Sequence, residues 1–336
     1  MLSGMDPVAL TRQLIDIDST TGNESAVAEF LAGYLAEAGL TIERMPVEGK
    51  RFNVFAHWPE RPRPEVVFST HTDCVPPFIS SREDEARIYG RGACDAKGII
   101  AAQVAAALRL HREGIAAGLL FVVGEERDSL GAQVANENPR GSRFLINGEP
   151  TGNKIALDAK GALRVEVTAR GKTAHSAYPE LGESAIEKLL DALDALRAMT
   201  LPSHPEAGAS TVNIGIIEGG RATNVIPDFA KAQLLYRIVA PSQPLRKEIV
   251  VAVGDRAQVD FLLDFPYMRF RTVAGIPTMT ASFTTDIPAL SHWGEPVLLG
   301  PGSIRAAHTD DEYLEKSELR EAIELYMRIA RELLRA

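Results

Sequence analysis

The amino-acid sequence predicts an α/β fold in which a doubly wound mixed sheet is interrupted by a smaller α+β domain. In the first part of the chain, short apolar runs typical of buried parallel strands alternate with amphipathic helical segments. Near residue 161 the pattern changes to alternating apolar and polar residues, as in antiparallel strands with one solvated face. Short apolar strands return after about residue 270. We therefore predict a large domain over 1–160 and 270–336 and an inserted domain over 161–269.

The large domain begins with two predicted helices. The first covers 6–17, entered through Asp6 with Pro7 in its first turn, and Asn23 is the candidate cap of the second. The remaining elements are strands at TIERMPV and FNVFAHW, buried strands at 65–70, 118–124 and 143–148, and helices at 98–112, 128–136 and 316–335.

The inserted domain has the order β-α-β-β-α-β, which is that of the split βαβ, ferredoxin-like sandwich. Its predicted elements are the strand ALRVEVTAR, a helix over 183–198, the strands STVNIGIIEG and FAKAQLLYRIVA, a short helix and the strand QVDFLLDF. A sheet of such strands can solvate one face or pair with another chain through an edge.

Composition excludes several classes of function. The 336 residues carry 36 basic and 45 acidic side chains, a formal net charge of −9, which disfavours nucleic acid and anionic membranes as partners. Two cysteines do not form a disulfide framework. The N-terminus lacks the pattern of a signal peptide, and no uncharged apolar run reaches the roughly 18 residues of a spanning helix. We therefore expect a cytoplasmic protein.

Three predicted buried strands end on side chains that can bind metal. Ligands of doubly wound sheets lie at the carboxyl ends of the parallel strands. The first strand ends at His71, and Asp73 follows at a spacing that allows a carboxylate to hold the second ring nitrogen of a metal-bound histidine. The second strand runs into Glu125 and Glu126, and the third into Glu149.

Each of these patterns has an ordinary structural explanation when it is taken alone. A His-x-Asp triplet is usually accidental, and two adjacent glutamates usually begin a solvated helix. Because neighbouring residues of a strand point to opposite faces, Glu125 and Glu126 can serve one site only if the backbone turns there. A carboxylate such as Glu149 at the end of a buried strand is costly when unpaired, and a bound cation would explain it.

Two more segments complete the candidate site. Asp95 lies in GRGACDAKG, a glycine-rich turn before a helix that lacks the spacing of a phosphate-binding loop. His308 follows another apolar strand and, alone, would be interpreted as a surface residue. Together, two histidines and four carboxylates near strand ends indicate a metal site, and imidazole with carboxylate suits zinc, cobalt or manganese. We interpret Cys74 and Cys94 as small buried residues.

At these residues the chain resembles the metallopeptidase family of acetylornithine deacetylase, succinyl-diaminopimelate desuccinylase, aminoacylase and glutamate carboxypeptidase. The resemblance covers essentially the whole chain. The motifs that carry it are STHTD, GRGACDAKG, VVGEERDSLGA, GEPT, GKTAHSAYP, ATNVIPD and GPGSIRAAHTDDEY. It implies a catalytic domain with an inserted lid and dimerisation domain, and a homodimer. One departure is Gly124, where many relatives have an acid.

The resemblance also implies the role of each matching residue. Two divalent metal ions, zinc before cobalt or manganese, would be bridged by Asp95. His71 and Glu149 would complete one ion, and Glu126 and His308 the other. The remaining implied roles are Asp73 as the residue that orients His71, Glu125 as the general base, His175 as the group that polarises the scissile carbonyl, and Asn224, Arg237 and Gly302 as substrate contacts, Arg237 through the substrate carboxylate.

These roles describe an amidohydrolase that acts on a small N-acyl amino acid or a short peptide. Within the family, GPGSIRAAHTDDEYL is most similar to the acetylornithine deacetylase branch, so we expect an acetylornithine deacetylase-like deacylase of N-acyl amino acids. A desuccinylase, a hydrolase that releases lysine from a carrier, and a dipeptidase or carboxypeptidase remain alternatives. Outside enzymes, the alternative is a catalytically inactive dimeric binding module. A nucleotide-binding protein is disfavoured because there is no phosphate-binding loop.

Overall fold

The computed structural model describes residues 5–335. Residues 1–4 and 336, which the predicted large domain includes, lie outside the described residues. The helices are α1 (Pro7–Ile15), α2 (Ser25–Glu37), α3 (Lys97–Arg112), α4 (Leu130–Glu137), α5 (Ala185–Arg197), α6 (Ser242–Val253) and α7 (Lys316–Arg335), with 3-10 turns at Pro179–Leu181 and Ile287–Leu290.

The strands include long members of two sheets and several short pairs. They are β1 (Thr41–Glu48), β2 (Arg51–His57), β3 (Val66–His71), β4 (Arg82–Glu83), β5 (Arg87–Tyr89), β6 (Gly118–Val122), β7 (Phe144–Asn147), β8 (Ile155–Ala159), β9 (Gly161–Arg170), β10 (Ser203–His204), β11 (Gly208–Ala209), β12 (Thr211–Gly219), β13 (Phe229–Ile238), β14 (Gln258–Phe265), β15 (Met268–Arg269), β16 (Thr278–Ala281), β17 (Glu295–Leu298) and β18 (Tyr313–Glu315).

The chain forms two compact units. Unit 1 contains residues 5–157, 270–279 and 285–335, and unit 2 contains 158–269 and 280–284. The mixed sheet of unit 1 and the βαββαβ order of unit 2 confirm the fold class predicted from the sequence. Among residues 5–335, no helix combines the length and apolar character that crossing a bilayer requires.

The sheet of unit 1 has six strands in the order β1-β2-β6-β3-β7-β17. Strand β3 is parallel to β6 and β7, and β17 is parallel to β7, whereas β1 and β2 form an antiparallel edge. Every residue of β3, β6 and β7 is buried, which explains their continuous apolar runs. The carboxyl ends of three adjacent parallel strands therefore lie together.

The sheet of unit 2 has four antiparallel strands in the order β12-β13-β9-β14. The apolar side chains of one face, such as Val165 and Leu234, pack with Leu189 of α5 and Ile249 of α6. Alternate residues of β9 and β13 point to the opposite face, which is more polar. Arg237 lies on that opposite face.

Helix α2 begins differently from the sequence prediction. Glu24 occupies the cap position, and the Asn23 side chain donates to the Asp18 carbonyl instead of capping the helix. The buried Glu24 carboxylate accepts hydrogen bonds from Arg51 Nε at 2.7 Å and Nη2 at 2.6 Å, and from the Gly22 amide at 3.0 Å. A long-range ion pair therefore fixes the start of α2 on β2, which local sequence patterns cannot reveal.

This pair predicts an asymmetry in stability. Glu24→Ala would leave the Arg51 guanidinium, whose side chain is 6% exposed, without its main partner, since Glu48 contacts only its Nη1 atom. We expect a loss of about 3–5 kcal/mol in the free energy of unfolding, measured by urea denaturation. The matched control is Glu29→Ala, which removes an exposed pair with Arg44 and should cost at most about 1 kcal/mol. Equal losses in the two variants would contradict the interpretation.

Candidate active site

The carboxyl ends of β3, β6 and β7 bring together four of the predicted ligand and base residues. His71 is the last residue of β3, Glu125 and Glu126 follow β6, and Glu149 lies two residues after the end of β7. Strand β6 ends at Val122, and Gly124 adopts a φ of 79°. The backbone therefore turns before the two glutamates, as their participation in one site requires.

Asp95 lies at the centre of this cluster. Its Oδ1 atom is 3.0 Å from His71 Nε2, and its Oδ2 atom is 3.3 Å from His308 Nε2. His308 Nε2 is also 3.0 Å from Glu126 Oε1. One ligand atom each from His71, Asp95 and Glu126 all lie within 4.8 Å of one another, so these three side chains can hold a metal ion.

Asp73 connects the ends of β3 and β6. Its carboxylate accepts hydrogen bonds from the amides of Glu125 at 3.1 Å and Glu126 at 3.2 Å, and from the Thr21 hydroxyl at 2.9 Å. The His71 Nδ1 atom lies 3.0 Å from the backbone carbonyl of Asp73 and 3.6 Å from its carboxylate. Asp73 therefore orients the ring through its carbonyl oxygen and orients the two glutamates through its carboxylate.

Neighbouring carboxylates favour the protonated form of both histidines. Burial lowers the pKa of His71, but its hydrogen bonds with Asp73 and Asp95 outweigh burial and raise that pKa well above the usual range. Hydrogen bonds to Asp95 and Glu126 raise the pKa of His308 to about 10. Burial acts to raise the pKa of Asp95, yet the two imidazoles bring it below the usual range. In the absence of metal, protonation of the two imidazoles would offset part of the carboxylate charge.

Two other carboxyl groups, the partly buried Glu125 and the buried Glu149, lack such a partner. Burial, followed by the charge of Glu149, raises the pKa of Glu125 well above the usual range. Burial also raises the pKa of Glu149, and its Oε1 atom has no hydrogen-bond partner among the described residues. A bound cation would satisfy a buried carboxylate oxygen that has no hydrogen-bond donor. The donor set of imidazole and carboxylate therefore fits zinc, cobalt or manganese.

Asp286 is a further buried carboxyl group near the cluster that the sequence did not reveal. It is 1% exposed, and within residues 5–335 neither of its oxygens makes a hydrogen bond of good geometry. Burial raises its pKa to about 7, and the charges of His71, Asp73 and Glu126 act on it. The surrounding segment, FTTDIPAL, contains no motif that distinguishes Asp286 from an ordinary turn residue. Its proximity to the cluster arises only from the tertiary fold.

The two cysteines are not placed as metal ligands. The Cys74 thiol points to the carbonyl of Asp95 at 3.7 Å, and the Cys94 thiol to Glu312 Oε1 at 3.6 Å. Burial raises the pKa of Cys74 to about 12 and also raises that of Cys94. Both side chains are therefore neutral thiols.

Gly302 is explained by packing in unit 1. Its φ of 83° favours glycine, and a Cβ atom there would lie 2.5 Å from Cys94 Cβ. Its amide donates to the Glu318 carboxylate at 2.9 Å. This glycine therefore keeps the segment before His308 close to the segment that carries Asp95.

Unit 2 brings two of the remaining predicted residues together. His175 and Val225 form an antiparallel bridge, and the Asn224 carbonyl accepts a hydrogen bond from the Ser176 amide at 3.0 Å. The Nδ1 atom of His175 accepts a hydrogen bond from the Ala177 amide at 3.1 Å. In the neutral ring the proton therefore lies on Nε2, which makes this exposed atom a hydrogen-bond donor.

Arg237 lies on β13, opposite Thr211 of β12 and Ala162 of β9. Its side chain is partly buried, and burial lowers its pKa. Within the described part of the chain, its guanidinium has no hydrogen-bond or ion-pair partner. An unpaired, partly desolvated guanidinium can receive a carboxylate in a bidentate geometry.

Comparison with known proteins agrees with this architecture. Residues 157–257 match the family model described as the peptidase dimerisation domain. A crystal structure of the aminopeptidase PepT from Bacillus cereus is similar to this structure, with a TM-score of 0.83 over 98% of both chains. Since the two sequences are only 21% identical, this similarity shows the fold alone.

Two fungal proteins are similar in sequence over nearly the whole chain. A peptidase M20 domain-containing protein of Schizosaccharomyces pombe is 39% identical, with 97% of this chain and 84% of that protein aligned. A probable carboxypeptidase of Aspergillus clavatus is 38% identical, with 95% of this chain and 80% of that protein aligned. Similarity of this extent, together with the matching dimerisation domain, establishes that the chain belongs to the M20 peptidase family of hydrolases.

Proposed function

We propose that this M20 hydrolase cleaves the amide bond before a carboxy-terminal residue in short peptides, with two divalent metal ions bound at the strand ends of unit 1. The observation that carries the proposal is the cluster in which the buried Asp95 offers one carboxylate oxygen to the buried His71 and the other to the exposed His308. A carboxylate with an imidazole on each side is suited to bridge two cations. His71 and Glu149 would hold one ion, and Glu126 and His308 the other.

The residues of this chain then divide the chemistry between them. Bound divalent ions supply Lewis acidity and make water a stronger acid. Glu125 takes a proton from the attacking water and later delivers it to the departing amine, and its raised pKa suits a group that must do both near neutral pH. His175 would donate a hydrogen bond from its Nε2–H to the oxygen of the scissile carbonyl and stabilise the negative charge that develops there.

The choice of substrate rests on Arg237 and on the relatives. An unpaired guanidinium favours a substrate with a free carboxylate, and the A. clavatus relative is named a probable carboxypeptidase. Zinc is our first choice of metal, before cobalt or manganese. The second candidate function is an acetylornithine deacetylase-like deacylase, which the segment GPGSIRAAHTDDEYL favours. Turnover of dipeptides and tripeptides compared with N-acetyl and N-succinyl amino acids separates the two.

The assignment of ligand and base roles predicts opposite behaviour for two adjacent residues. The purified protein is expected to bind up to two transition-metal ions per chain, measured by inductively coupled plasma mass spectrometry. Glu125→Gln should reduce kcat by roughly two to four orders of magnitude while metal content is retained. Glu126→Gln should lose metal, because it removes an anionic ligand. The exposed Glu137→Gln is the control.

Two results would reject this assignment. One is full activity in a preparation that contains no metal. The other is equal metal loss in Glu125→Gln and Glu126→Gln, because the first residue would then be a ligand and not the base.

Arg237 is expected to select substrates with a free carboxylate. Arg237→Lys should lower kcat/KM for such substrates by roughly 10- to 100-fold, the effect of losing one charge-assisted hydrogen bond, and should affect the corresponding C-terminal amides less. Arg164→Lys is the matched control, since Arg164 lies on the same face of the sheet in the neighbouring strand β9. A wild-type enzyme that does not distinguish acids from amides would exclude this role.

We also propose a homodimer formed through unit 2. Strand β12 is at the edge of its sheet, and it exposes 45% of Ile216 and 58% of Ile217. An apolar edge strand of this kind invites pairing with another chain. The match of residues 157–257 to the dimerisation domain supports the same assignment. In the dimer, His175 of one protomer would serve the metal site of the other.

Complementation tests whether His175 acts across the dimer. Glu125→Ala and His175→Ala should each be nearly inactive, and the mixed heterodimer should contain one site with intact Glu125 that receives an intact His175. Mixing under conditions of subunit exchange should therefore restore part of the activity. A monomer in sedimentation analysis, or verified exchange without any recovery, would show that His175 does not act in the partner's site.

A further inference from the structure

Glu312 is a buried carboxylate that the proposed chemistry does not use. It lies four residues after His308 and directly before β18, in the segment HTDDEYL. Its Oε1 atom accepts hydrogen bonds from three backbone amides of the segment that leads into α3: Gly92 at 3.0 Å, Cys94 at 3.2 Å and Asp95 at 3.2 Å. Three amides that converge on one oxygen form an anion-binding concavity in the backbone.

The second oxygen of Glu312 is also engaged. Its Oε2 atom accepts a hydrogen bond from Arg91 Nη1 at 2.8 Å, and the two side chains are 1% and 4% exposed, respectively. Arg91 also donates to the carbonyls of Thr309 at 3.0 Å and Pro77 at 3.3 Å. With both oxygens occupied by donors, Glu312 is not a further metal ligand.

These contacts connect the segment that carries Asp95 with the segment that carries His308. Glu312 and Thr309 belong to the segment of His308, whereas Arg91 and the three amides belong to the segment of Asp95. The Gly90 amide adds a backbone bond to the Glu312 carbonyl at 3.1 Å. The separation of Asp95 from His308 is therefore set by contacts that lie outside the metal site itself.

We propose that Glu312 is a positioning residue that fixes the backbone of Asp95 relative to His308, so that both oxygens of Asp95 are presented for metal binding. A buried ion pair contributes little to stability compared with apolar packing of the same volume. Its contribution here is geometric, because no apolar side chain could accept three backbone amides at once. The inference rests on the proposed metal function and deepens it.

The test uses variants that change the acceptor and keep the volume similar. Glu312→Gln places an amide group against Arg91 or against the three backbone amides, so a donor faces a donor in either orientation. Glu312→Asp keeps the negative charge but shortens the side chain by one methylene group, which moves the carboxylate away from its donors. The control is Asp311→Asn, whose side chain is 90% exposed next to the same segment. Folding of the metal-free proteins is checked by circular dichroism and thermal unfolding.

The measurements are the affinity of the metal-free protein for Zn²⁺, by competition with a chelator, and the visible spectrum of the Co²⁺-loaded protein. We expect the affinity to fall by roughly 10- to 100-fold in Glu312→Gln, with an altered Co²⁺ spectrum, as for other groups that orient metal ligands. Glu312→Asp should lie between this variant and the wild type, and Asp311→Asn should match the wild type.

The outcomes separate this inference from the proposed function. A wild-type protein that binds neither metal would reject the metal function itself. Wild-type affinity and an unchanged Co²⁺ spectrum in folded Glu312→Gln would reject the positioning role alone. Should Glu312→Gln fail to fold, Glu312→Asp, which keeps the negative charge, decides the question in the same way by its affinity and spectrum.

Discussion

The structure depends on one constraint, the burial of like charges at the end of a parallel sheet. Six carboxyl groups (Asp73, Asp95, Glu125, Glu126, Glu149 and Asp286) act on one another electrostatically there, and the imidazoles of His71 and His308 oppose them. Burial disfavours every ionised carboxyl group, which is why the pKa values of Glu125, Glu149 and Asp286 rise. Bound divalent cations would neutralise the negative charge of such a cluster. The surrounding backbone holds the carboxyl groups close together.

Three features of the backbone hold these side chains in place. Buried strands deliver His71, Glu126 and Glu149 to one edge, because β6, β3 and β7 are adjacent and parallel. The turn at Gly124 redirects the chain so that two adjacent glutamates can serve one site. The segments of Asp95 and His308 lie outside the sheet, and hydrogen bonds between them take the place of the strand pairing that holds the other proposed ligands.

How much of this could be predicted from the sequence depends on the range of the interaction. Apolar runs identify β3, β6 and β7 because burial on both faces leaves a local signature, and the strand ends then indicate His71 and Glu149. The start of α2 was mispredicted at Asn23, since the deciding contact is with Arg51 on a later strand. Asp286 and Glu312 carry no local signal either. Their burial and partners come from segments that are distant in the sequence.

The same reasoning explains why specificity would reside in Arg237 and not in the metal cluster. In the proposed mechanism the cluster would act on the amide group, which all peptides share, so it could not distinguish one substrate from another. A guanidinium that is partly buried and unpaired among the described residues has lost hydration without gaining a partner. A substrate carboxylate would replace the lost hydration with hydrogen bonds to the guanidinium, whereas an amide would replace less of it. Discrimination would therefore arise from the unpaired state of the Arg237 guanidinium in the free protein. A site built to bind a polar group discriminates against a substrate that lacks it, because the protein group is then left unpaired.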